Sequence, residues 1–305
     1  MDRQQAIQAI QQIEAGLSAL KRALQPERPA AAPRPKTNQP QLKPAYAESL
    51  PAEQLGPTPD WDNPEWPEAV PSRLIIPENG SDAEKRFRAL QVVGMLDRNF
   101  SGTYCLDLGC GTGHVAAEMA EKATKVVGYD IKQYEHWKNI STVEFTTEKE
   151  QLQPGFHFIL CYDVLDHLVM EQPADFFSWA GQLLSPGGTM MVRVHPWTSR
   201  HGSHNYETVN KAYIHLALTD EELAASGISV DCTQRFVRPL AAYESIFRRA
   251  ELQIVDKRTI ATDVEPFFDN IIDRINKVTW GGNITPEVAK KIMAIQFIDY
   301  TLQRI

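Results

Sequence analysis

Short apolar runs alternate with stretches of mixed polarity from residue 81 to the C-terminus. Short runs of this kind are typical of buried strands, and apolar positions that recur every three or four residues are typical of helices. The predicted strands are 104–108, 125–129, 142–146, a run that begins at Phe156, 189–194, 252–257 and 297–303. The predicted helices are 81–99, 114–122, 176–184, 218–225, 243–249, 265–277 and 286–294. The alternation indicates an α/β fold.

A different pattern precedes this region. Apolar residues in the first segment, residues 1–25, alternate at spacings of four and three, which is the seam of a coiled coil: Ala6, Ile10, Ile13, Leu17, Leu20 and Leu24. So short a helix needs a partner, which is either a second copy of the chain or the body of the same chain. Residues 26–80 are predicted to be a linker, because 13 of the 20 prolines lie between Pro26 and Pro77. Apolar residues return from Trp61 onward, so the end of this linker is expected to dock on the globular domain.

The first helix of that domain has a clear start signal. Ser81 and Glu84 have the spacing of a capping box, in which each side chain bonds the backbone N–H of the other residue. The residues expected to form its apolar face are Phe87, Leu90, Val93 and Leu96.

The strand 104–108 leads into a turn with glycine at positions 109, 111 and 113. Glycine lets the backbone approach a ligand, and the following helix offers unpaired N–H groups. The dinucleotide fingerprint G-x-G-x-x-G does not fit, because the third glycine comes one residue early and His114 takes its place. Asp107, just before the turn, would repel a pyrophosphate and attract a cation. The pattern favours a positively charged, nucleoside-like ligand.

Two stretches carry a resemblance to a known family. LDLGCGTG, at 106–113, and FHFILCYDVLDHL, at 156–168, closely resemble motifs of the class I S-adenosylmethionine-dependent methyltransferases, in the group that acts mostly on small molecules. His157 departs from that pattern, which usually has aspartate there. The resemblance implies a doubly wound, Rossmann-like seven-stranded sheet over residues 81–305, with insertions at about 197–237 and 264–294. It also implies S-adenosylmethionine as the methyl donor.

The donor site follows from the turn and from the resemblance. Asp130 lies 23 positions after Asp107, at the end of the second strand, where an acid accepts hydrogen bonds from ribose hydroxyls. The resemblance implies that Glu148, or else Glu150, borders the adenine. Arg86 is a weak candidate for the methionine carboxylate, and a solvent-facing arginine is the alternative. The full set of expected donor-binding residues is Asp107, Gly109, Cys110, Gly111, Gly113, Asp130, Ile131, Glu148 and Asp163.

Candidates for handling a substrate proton follow the fourth and fifth strands. His195 is the first choice for a general base because it ends the fifth strand, and Asp163 is the second. His167 is a further catalytic candidate, beside Asp166. Each residue after the fourth strand also has a structural alternative: Asp163 as a helix N-cap, Asp166 as a first-turn acid and His167 as a residue paired within its helix.

The segment after His195 is rich in histidine and leaves the fifth strand at the ligand edge. The residues expected to bind substrate are Trp197, Arg200, His201, His204 and Tyr206. A polar surface loop without a ligand is the alternative. Four histidines also suggest a metal site, but their spacing matches no familiar pattern, so no metal is predicted.

Composition and charge limit the classes of molecule that could be the methyl acceptor. The formal net charge of -8 argues against sequence-independent binding of nucleic acid, and the motifs of DNA methyltransferases are absent. RNA stays an alternative through the basic first half of the linker, as do a protein acceptor and a non-catalytic scaffold that binds S-adenosylmethionine. No apolar run or secretory segment points to a membrane, and the four cysteines lack metal-ligand spacing. A cytoplasmic enzyme with a small-molecule acceptor is therefore expected.

Overall fold

The apolar runs form a seven-stranded sheet in the computed structural model, which describes residues 50–76, 80–168, 173–228 and 240–305. The strands are β1 (Tyr104–Leu108), β2 (Lys125–Tyr129), β3 (Glu144–Thr146), β4 (Phe156–Tyr162), β5 (Leu184–Val194), β6 (Leu252–Ala261) and β7 (Ile295–Arg304). Their order across the sheet is β3-β2-β1-β4-β5-β7-β6. Strands β1 to β5 pair in parallel, and β7 runs antiparallel between β5 and β6.

Helices cover both faces of this sheet. The helices are α1 (Ala52–Leu55), α2 (Asp82–Met95), α3 (His114–Ala120), α4 (Pro173–Gln182), α5 (Ile214–Ala217), α6 (Asp220–Ala225), α7 (Leu240–Arg249), α8 (Ile272–Trp280) and α9 (Pro286–Met293). One buried cluster joins side chains of α2 and α3 to the sheet, and another joins α4 and α7 to the opposite face. The doubly wound, seven-stranded Rossmann-like architecture is thus confirmed. Among the described residues, no helix is both long and apolar enough to cross a membrane.

Several predicted boundaries hold, and some are wrong. The capping box of Ser81 and Glu84 begins α2, and Thr219 caps α6 in the same way. The turn expected at 184–188 is part of β5, which pairs with β4 already at Leu184 and shows a register irregularity before Thr189. The helix expected at 265–277 is a short 3₁₀ turn followed by α8.

The predicted apolar face of α2 is also partly wrong. Phe87 and Leu90 are 58% and 49% exposed, whereas Ala89 and Val92 are buried together with Val93. The helix is therefore rotated so that smaller side chains meet the sheet. Close approach of α2 to α3 favours these small residues over Phe87 and Leu90.

The two predicted insertions pack against each other. We call residues 196–228 and 262–294 the cap. A buried cluster joins its two halves through side chains that include Ala212, Tyr213, Phe268, Ile275 and Met293. Residues 50–76, which we call the strap, complete this cluster with Trp66. The expected docking of the linker end is thus seen, and it begins earlier than predicted, at the buried Leu55. The coiled-coil segment and the linker before residue 50 lie outside the described residues.

Buried polar contacts fasten the strap to the cap. Arg274 of α8 donates hydrogen bonds to the carbonyl oxygens of Leu55, Gly56 and Pro57 and to the carboxylate of Glu222. The Trp66 Nε1–H donates to the Ala212 carbonyl at 2.8 Å. Buried hydrogen bonds of this kind hold the strap in one position on the cap, because breaking any of them would leave a buried polar atom without a partner.

Replacing Trp66 by phenylalanine is expected to lower the free energy of unfolding by about 2 kcal/mol, because the buried Ala212 carbonyl loses its donor and the smaller ring leaves a gap. Urea unfolding followed by circular dichroism measures the change. The matched control is Trp179→Phe, since the half-buried Trp179 makes no hydrogen bond with the described residues. Equal losses in the two variants would contradict the role of the Trp66 bond.

Candidate active site

The carboxyl ends of four parallel strands meet at one edge of the sheet. Asp107 lies near the end of β1, Asp130 follows β2, Asp163 follows β4 and His195 follows β5. Open α/β sheets bind their ligands at this edge, where neighbouring connections separate. Residues that are far apart in the sequence are therefore neighbours at one candidate site.

The glycine turn between β1 and α3 contains two kinds of glycine. Gly109 and Gly113 have φ angles of 83° and 84°. A Cβ atom on them would lie 2.3 Å from the Val164 side chain and 2.5 Å from the Phe145 ring, so both are required by packing. Gly111 has a φ of 51°, and a Cβ atom there would meet nothing within 4 Å. The turn thus presents open space at Gly111, on the ligand edge.

Asp107 is a buried carboxyl group without a full set of partners. Its side chain is 3% exposed, and its Oδ2 atom has no hydrogen-bond partner in the described part of the chain. Burial, followed by the negative charge of Asp130, raises the pKa of Asp107 to about 7. A positively charged ligand would relieve both effects, because it favours the ionised carboxylate.

Asp130 supports the glycine turn and keeps capacity for a ligand. Its Oδ2 accepts the Gly111 N–H at 2.9 Å, and its Oδ1 accepts the Lys132 N–H at 3.0 Å. Each carboxylate oxygen can accept a second bond. Ile131, the next residue, is 88% exposed and offers an apolar surface beside the carboxylate. These groups fit a ligand that has a cationic group, a pair of hydroxyl groups and a flat apolar part.

The third strand brings Glu148 to the same edge. Strand β3 ends at Thr146, and the exposed Glu148 accepts a hydrogen bond from the Thr147 hydroxyl at 3.2 Å. Sequence reasoning missed Trp137, whose Nε1–H donates to the Gly111 carbonyl at 2.8 Å and whose ring stacks on Phe145 at 4.8 Å. A lone tryptophan in a connection was the available signal. Trp137 supports the glycine turn through this hydrogen bond.

Asp163 opens the second half of the site. Its backbone adopts a left-handed conformation with a φ of 57°, which aspartate tolerates better than most residues. It is not the alternative N-cap, because Val164 holds that position and no side chain caps the following turn. The Oδ1 atom of Asp163 is buried and has no hydrogen-bond partner within the described ranges, and its Oδ2 lies 3.8 Å from the Arg88 guanidinium. Burial raises the pKa of Asp163.

Four histidines converge beside Asp163; we call His167, His195, His201 and His204 the histidine cluster. The His195 ring centroid lies 4.4 Å from that of His201 and 5.3 Å from that of His204, and the His204 and His167 centroids are 5.2 Å apart. The His195 Nε2 atom lies 3.9 Å from Asp163 Oδ1. The cluster joins the ends of β4 and β5 to the cap.

Burial keeps the inner histidines uncharged. It lowers the pKa of His201 to about 3 and that of His204 to about 4, and lowers that of His195 well below its ordinary value. Both ring nitrogens of His195 are buried without a hydrogen-bond partner among the described residues. Asp166 accepts the His195 backbone N–H at 2.9 Å, which fixes the end of β5. An uncharged imidazole with a free nitrogen is able to accept a proton.

The other expected substrate residues are distributed between the cluster and the cap. Tyr206 contacts His201, with 5.9 Å between ring centroids. Trp197 packs against His215 within the cap, and the Arg200 guanidinium is engaged by the Glu68 carbonyl and the Glu265 carboxylate. The donors of Arg200 therefore hold the strap, and its substrate role stays a prediction. Arg88, which sequence reasoning passed over for Arg86, is the arginine of α2 that faces Asp163.

Among the described residues, no group of three or more His, Cys, Asp or Glu side chains is placed to hold a metal ion. The rings of the histidine cluster meet edge to face.

Comparisons with curated proteins give distant matches. The ubiquinone biosynthesis O-methyltransferase of Pseudomonas aeruginosa is 25% identical over 130 residues, which cover 36% of this chain and 55% of that protein. The protein of the same name from Caulobacter is 28% identical over 109 residues, or 30% of this chain and 41% of that protein. The chain thus spans about half the length of the curated relatives it matches.

Solved structures of similar shape include a SAM-dependent methyltransferase from Archaeoglobus fulgidus, with 12% identity and a TM-score of 0.48, covering 74% of this chain and 95% of that chain. The magnesium protoporphyrin IX methyltransferase of Synechocystis, solved with bound SAH, has 15% identity and a TM-score of 0.45, covering 76% and 91%. A family model described as a methyltransferase domain matches residues 83–257, more than half of the 305 residues. The chain therefore belongs to this methyltransferase-domain family.

Proposed function

We propose that this protein transfers a methyl group from S-adenosylmethionine to an oxygen or nitrogen atom of a small-molecule acceptor. The observation that carries the proposal is the buried carboxyl of Asp107, whose Oδ2 atom has no hydrogen-bond partner among the described residues, beside Asp130 and the open glycine turn. Two neighbouring carboxyl groups in a buried site are unfavourable unless a cation accompanies them. A ligand that joins a sulfonium ion to a ribose would suit both carboxyl groups: its positive charge would favour their ionised forms, and its hydroxyl groups would donate hydrogen bonds to Asp130.

The donor would be held by residues from three strands. Asp130 would accept hydrogen bonds from the ribose hydroxyls, and the exposed Ile131 would cover one face of the adenine. Glu148 would accept the adenine amino group at the end of β3. Gly109, Cys110, Gly111 and Gly113 would line the methionine side, with Asp107 and Asp163 nearest the positive charge. When bound, S-adenosylmethionine supplies an electrophilic methyl group that an acceptor oxygen or nitrogen displaces.

The chain's own residues would align the acceptor and take its proton. His195, uncharged and with free ring nitrogens, would accept the proton that the attacking O–H or N–H group releases. Asp163 and His167 are the further proton-handling candidates. Holding two reactants in line accounts for most of the acceleration in such a displacement. The wall formed by the histidine cluster and Tyr206 would exclude water from the reacting atoms.

A small acceptor is favoured over a nucleic acid or a protein. The first part of the cap places His201 and His204 over the end of β5, and the cluster around them is lined by ring edges rather than by unpaired cations. The matching relatives are named as O-methyltransferases of ubiquinone biosynthesis. The proposed setting is the cytoplasm, since Cys105, Cys110 and Cys161 are free thiols. A homo-oligomer formed through residues 4–25 remains a prediction.

The donor site is tested by calorimetry with Asp130→Asn. The amide keeps one oxygen but loses the charge, so affinity for S-adenosylmethionine is expected to fall about 10-fold, the equivalent of one hydrogen bond to a charged group. The matched control is Glu135→Gln, because Glu135 lies five residues after Asp130 and is an exposed acid paired with Lys138. Equal affinities of wild type and Asp130→Asn would contradict the ribose role.

A further inference from the structure

A row of polar side chains crosses four strands immediately before His195. Tyr162 of β4 is in register with Arg193 of β5, Arg193 with Asp299 of β7, and Asp299 with Arg258 of β6. The Arg193 Nε and Nη2 atoms donate to the two Asp299 oxygens at 2.5 and 2.7 Å, and Nη1 donates to the Tyr162 hydroxyl oxygen at 3.2 Å. Arg258 donates to Asp299 Oδ2 at 2.8 Å. Arg193 is thus a buried arginine with its guanidinium fixed in a two-pronged grip.

The next row of the same face contains the proposed base. Side chains two residues apart on a strand point to the same face. His195 comes two residues after Arg193, directly beyond β5, and Phe297 comes two residues before Asp299 on the antiparallel β7, so the two rings are neighbours. The Phe297 ring centroid lies 4.2 Å from that of His195 and 4.9 Å from the Arg193 guanidinium carbon. Phe297 therefore contacts both the imidazole and the arginine. The position of the arginine determines where this ring, and with it His195, can lie.

Charged groups around His195 act in the same direction as burial. Burial lowers the pKa of His195, and the neighbouring His204 and the positive charges of Arg193 and Arg88 lower it further. Asp299 offsets part of the Arg193 charge, and the Asp163 carboxyl, 3.9 Å from His195 Nε2, opposes the arginines. The titratable and charged groups that face His195 from the surrounding elements are Arg88, Asp163, Asp166, His167, Arg193, His201 and His204. A second layer of such groups is Tyr162 and Asp299 on Arg193, Arg258 on Asp299, and Tyr206 on His201.

We propose that Arg193, held by Asp299, is a positioning residue that supports Phe297 against His195 and keeps the imidazole uncharged for the incoming proton. The inference rests on the proposed function, in which His195 is the base. The Arg193 guanidinium donates hydrogen bonds to Asp299 and Tyr162, so Arg193 would act on the reaction only through its neighbours.

Two substitutions separate the charge of Arg193 from its shape. Arg193→Met removes the charge, and Asp299 stays paired with Arg258; the pKa of His195 is expected to rise by about one unit. Arg193→Lys keeps the charge but loses the two-pronged grip, so kcat is expected to fall roughly 10-fold without a pKa change. Nitrogen-detected NMR titration of His195 in the full chain, without acceptor, measures the pKa. The pH below which kcat/KM falls is then expected to be higher in Arg193→Met and unchanged in Arg193→Lys.

The control is Arg304→Met, an exposed arginine at the far end of β7. An unchanged His195 titration in Arg193→Met would overturn the electrostatic role, and wild-type kcat in Arg193→Lys would overturn the support of Phe297. If Arg193→Met does not fold, Arg193→Lys still tests the support of Phe297. Arg193→Gln then replaces Arg193→Met in the test of the electrostatic role. A shifted titration in a protein that transfers no methyl group would uphold the positioning role while refuting the proposed function.

Discussion

His195→Ala is expected to lower turnover about 100-fold or more while leaving the affinity for S-adenosylmethionine unchanged. The imidazole is buried and uncharged, and its ring nitrogens have no hydrogen-bond partner among the residues that the structure describes, so one of them can take the acceptor's proton. Asp107 lies on β1, the glycine turn follows β1 and Asp130 follows β2, whereas His195 follows β5; Asp163, 3.9 Å from His195 Nε2, would border both the donor and the base. The loss is therefore expected in kcat and not in donor binding.

Two further variants make this test specific. His195→Gln keeps the size and polarity of the ring but cannot act as a base at neutral pH, so it is expected to resemble His195→Ala. His157→Gln is the histidine control, because His157 is exposed on β4 and accepts the Tyr104 N–H. Turnover in His195→Ala within a few-fold of wild type would remove His195 from the role of base.

Mild acid is expected to destabilise the fold strongly. Burial lowers the pKa values of His201 to about 3 and of His204 and His215 to about 4, and that of His195 well below its ordinary value. The unfolded chain takes up protons on these four groups below pH 6.5, and the folded chain does not. Each histidine therefore lowers the free energy of unfolding by about 1.4 kcal/mol per pH unit below that point.

Two carboxyl groups oppose this loss. Burial raises the pKa of Asp107 to about 7 and also raises that of Asp163, so the folded state gains stability from these groups as the pH falls. The four histidines outnumber the two carboxyl groups, so the net effect of acid is a loss of stability. The free energy of unfolding is expected to fall by roughly 3 to 5 kcal/mol between pH 6.5 and pH 5, a large part of the stability of a typical domain.

Urea unfolding at a series of pH values, in the absence of S-adenosylmethionine, measures this dependence. His215→Gln gives the matched comparison, because His215 donates to the Trp197 carbonyl from the cap and glutamine can keep that bond. Its slope is expected to be shallower by about 1.4 kcal/mol per pH unit. Stability that is level from pH 7.5 to pH 5 would show that the buried histidines are readily protonated in place.

The parts of the fold that depend on local sequence were predictable. The run into the glycine turn and the start of α3 at His114 follow from residues within one short stretch. Asp130 was placed by the length of one β–α–β unit, which varies little. The capping boxes at Ser81 and Thr219 are likewise settled within four residues. Local chemistry determines such elements, so they need no tertiary information.

The parts that depend on packing were not predictable. Which face of α2 is buried was decided by close contact with α3, and the larger Phe87 and Leu90 were left exposed. The contact of the strap with Arg274 joins residues far apart in the sequence, and no pattern in either segment marks it. The role of Arg193 could not be predicted from its neighbours in the sequence, because that role depends on Asp299, its partner on the adjacent strand β7.

The most direct test of the central claim is methyl transfer from S-adenosylmethionine labelled in its methyl group. The full chain is incubated with a small-molecule fraction of a cell extract, and the products are separated and identified by mass. The proposed function predicts label in a small molecule, on oxygen or nitrogen, with the wild-type chain and at least 100-fold less with His195→Ala. Equal labelling by both proteins, or no labelled product with a wild-type chain that binds the donor, would contradict it.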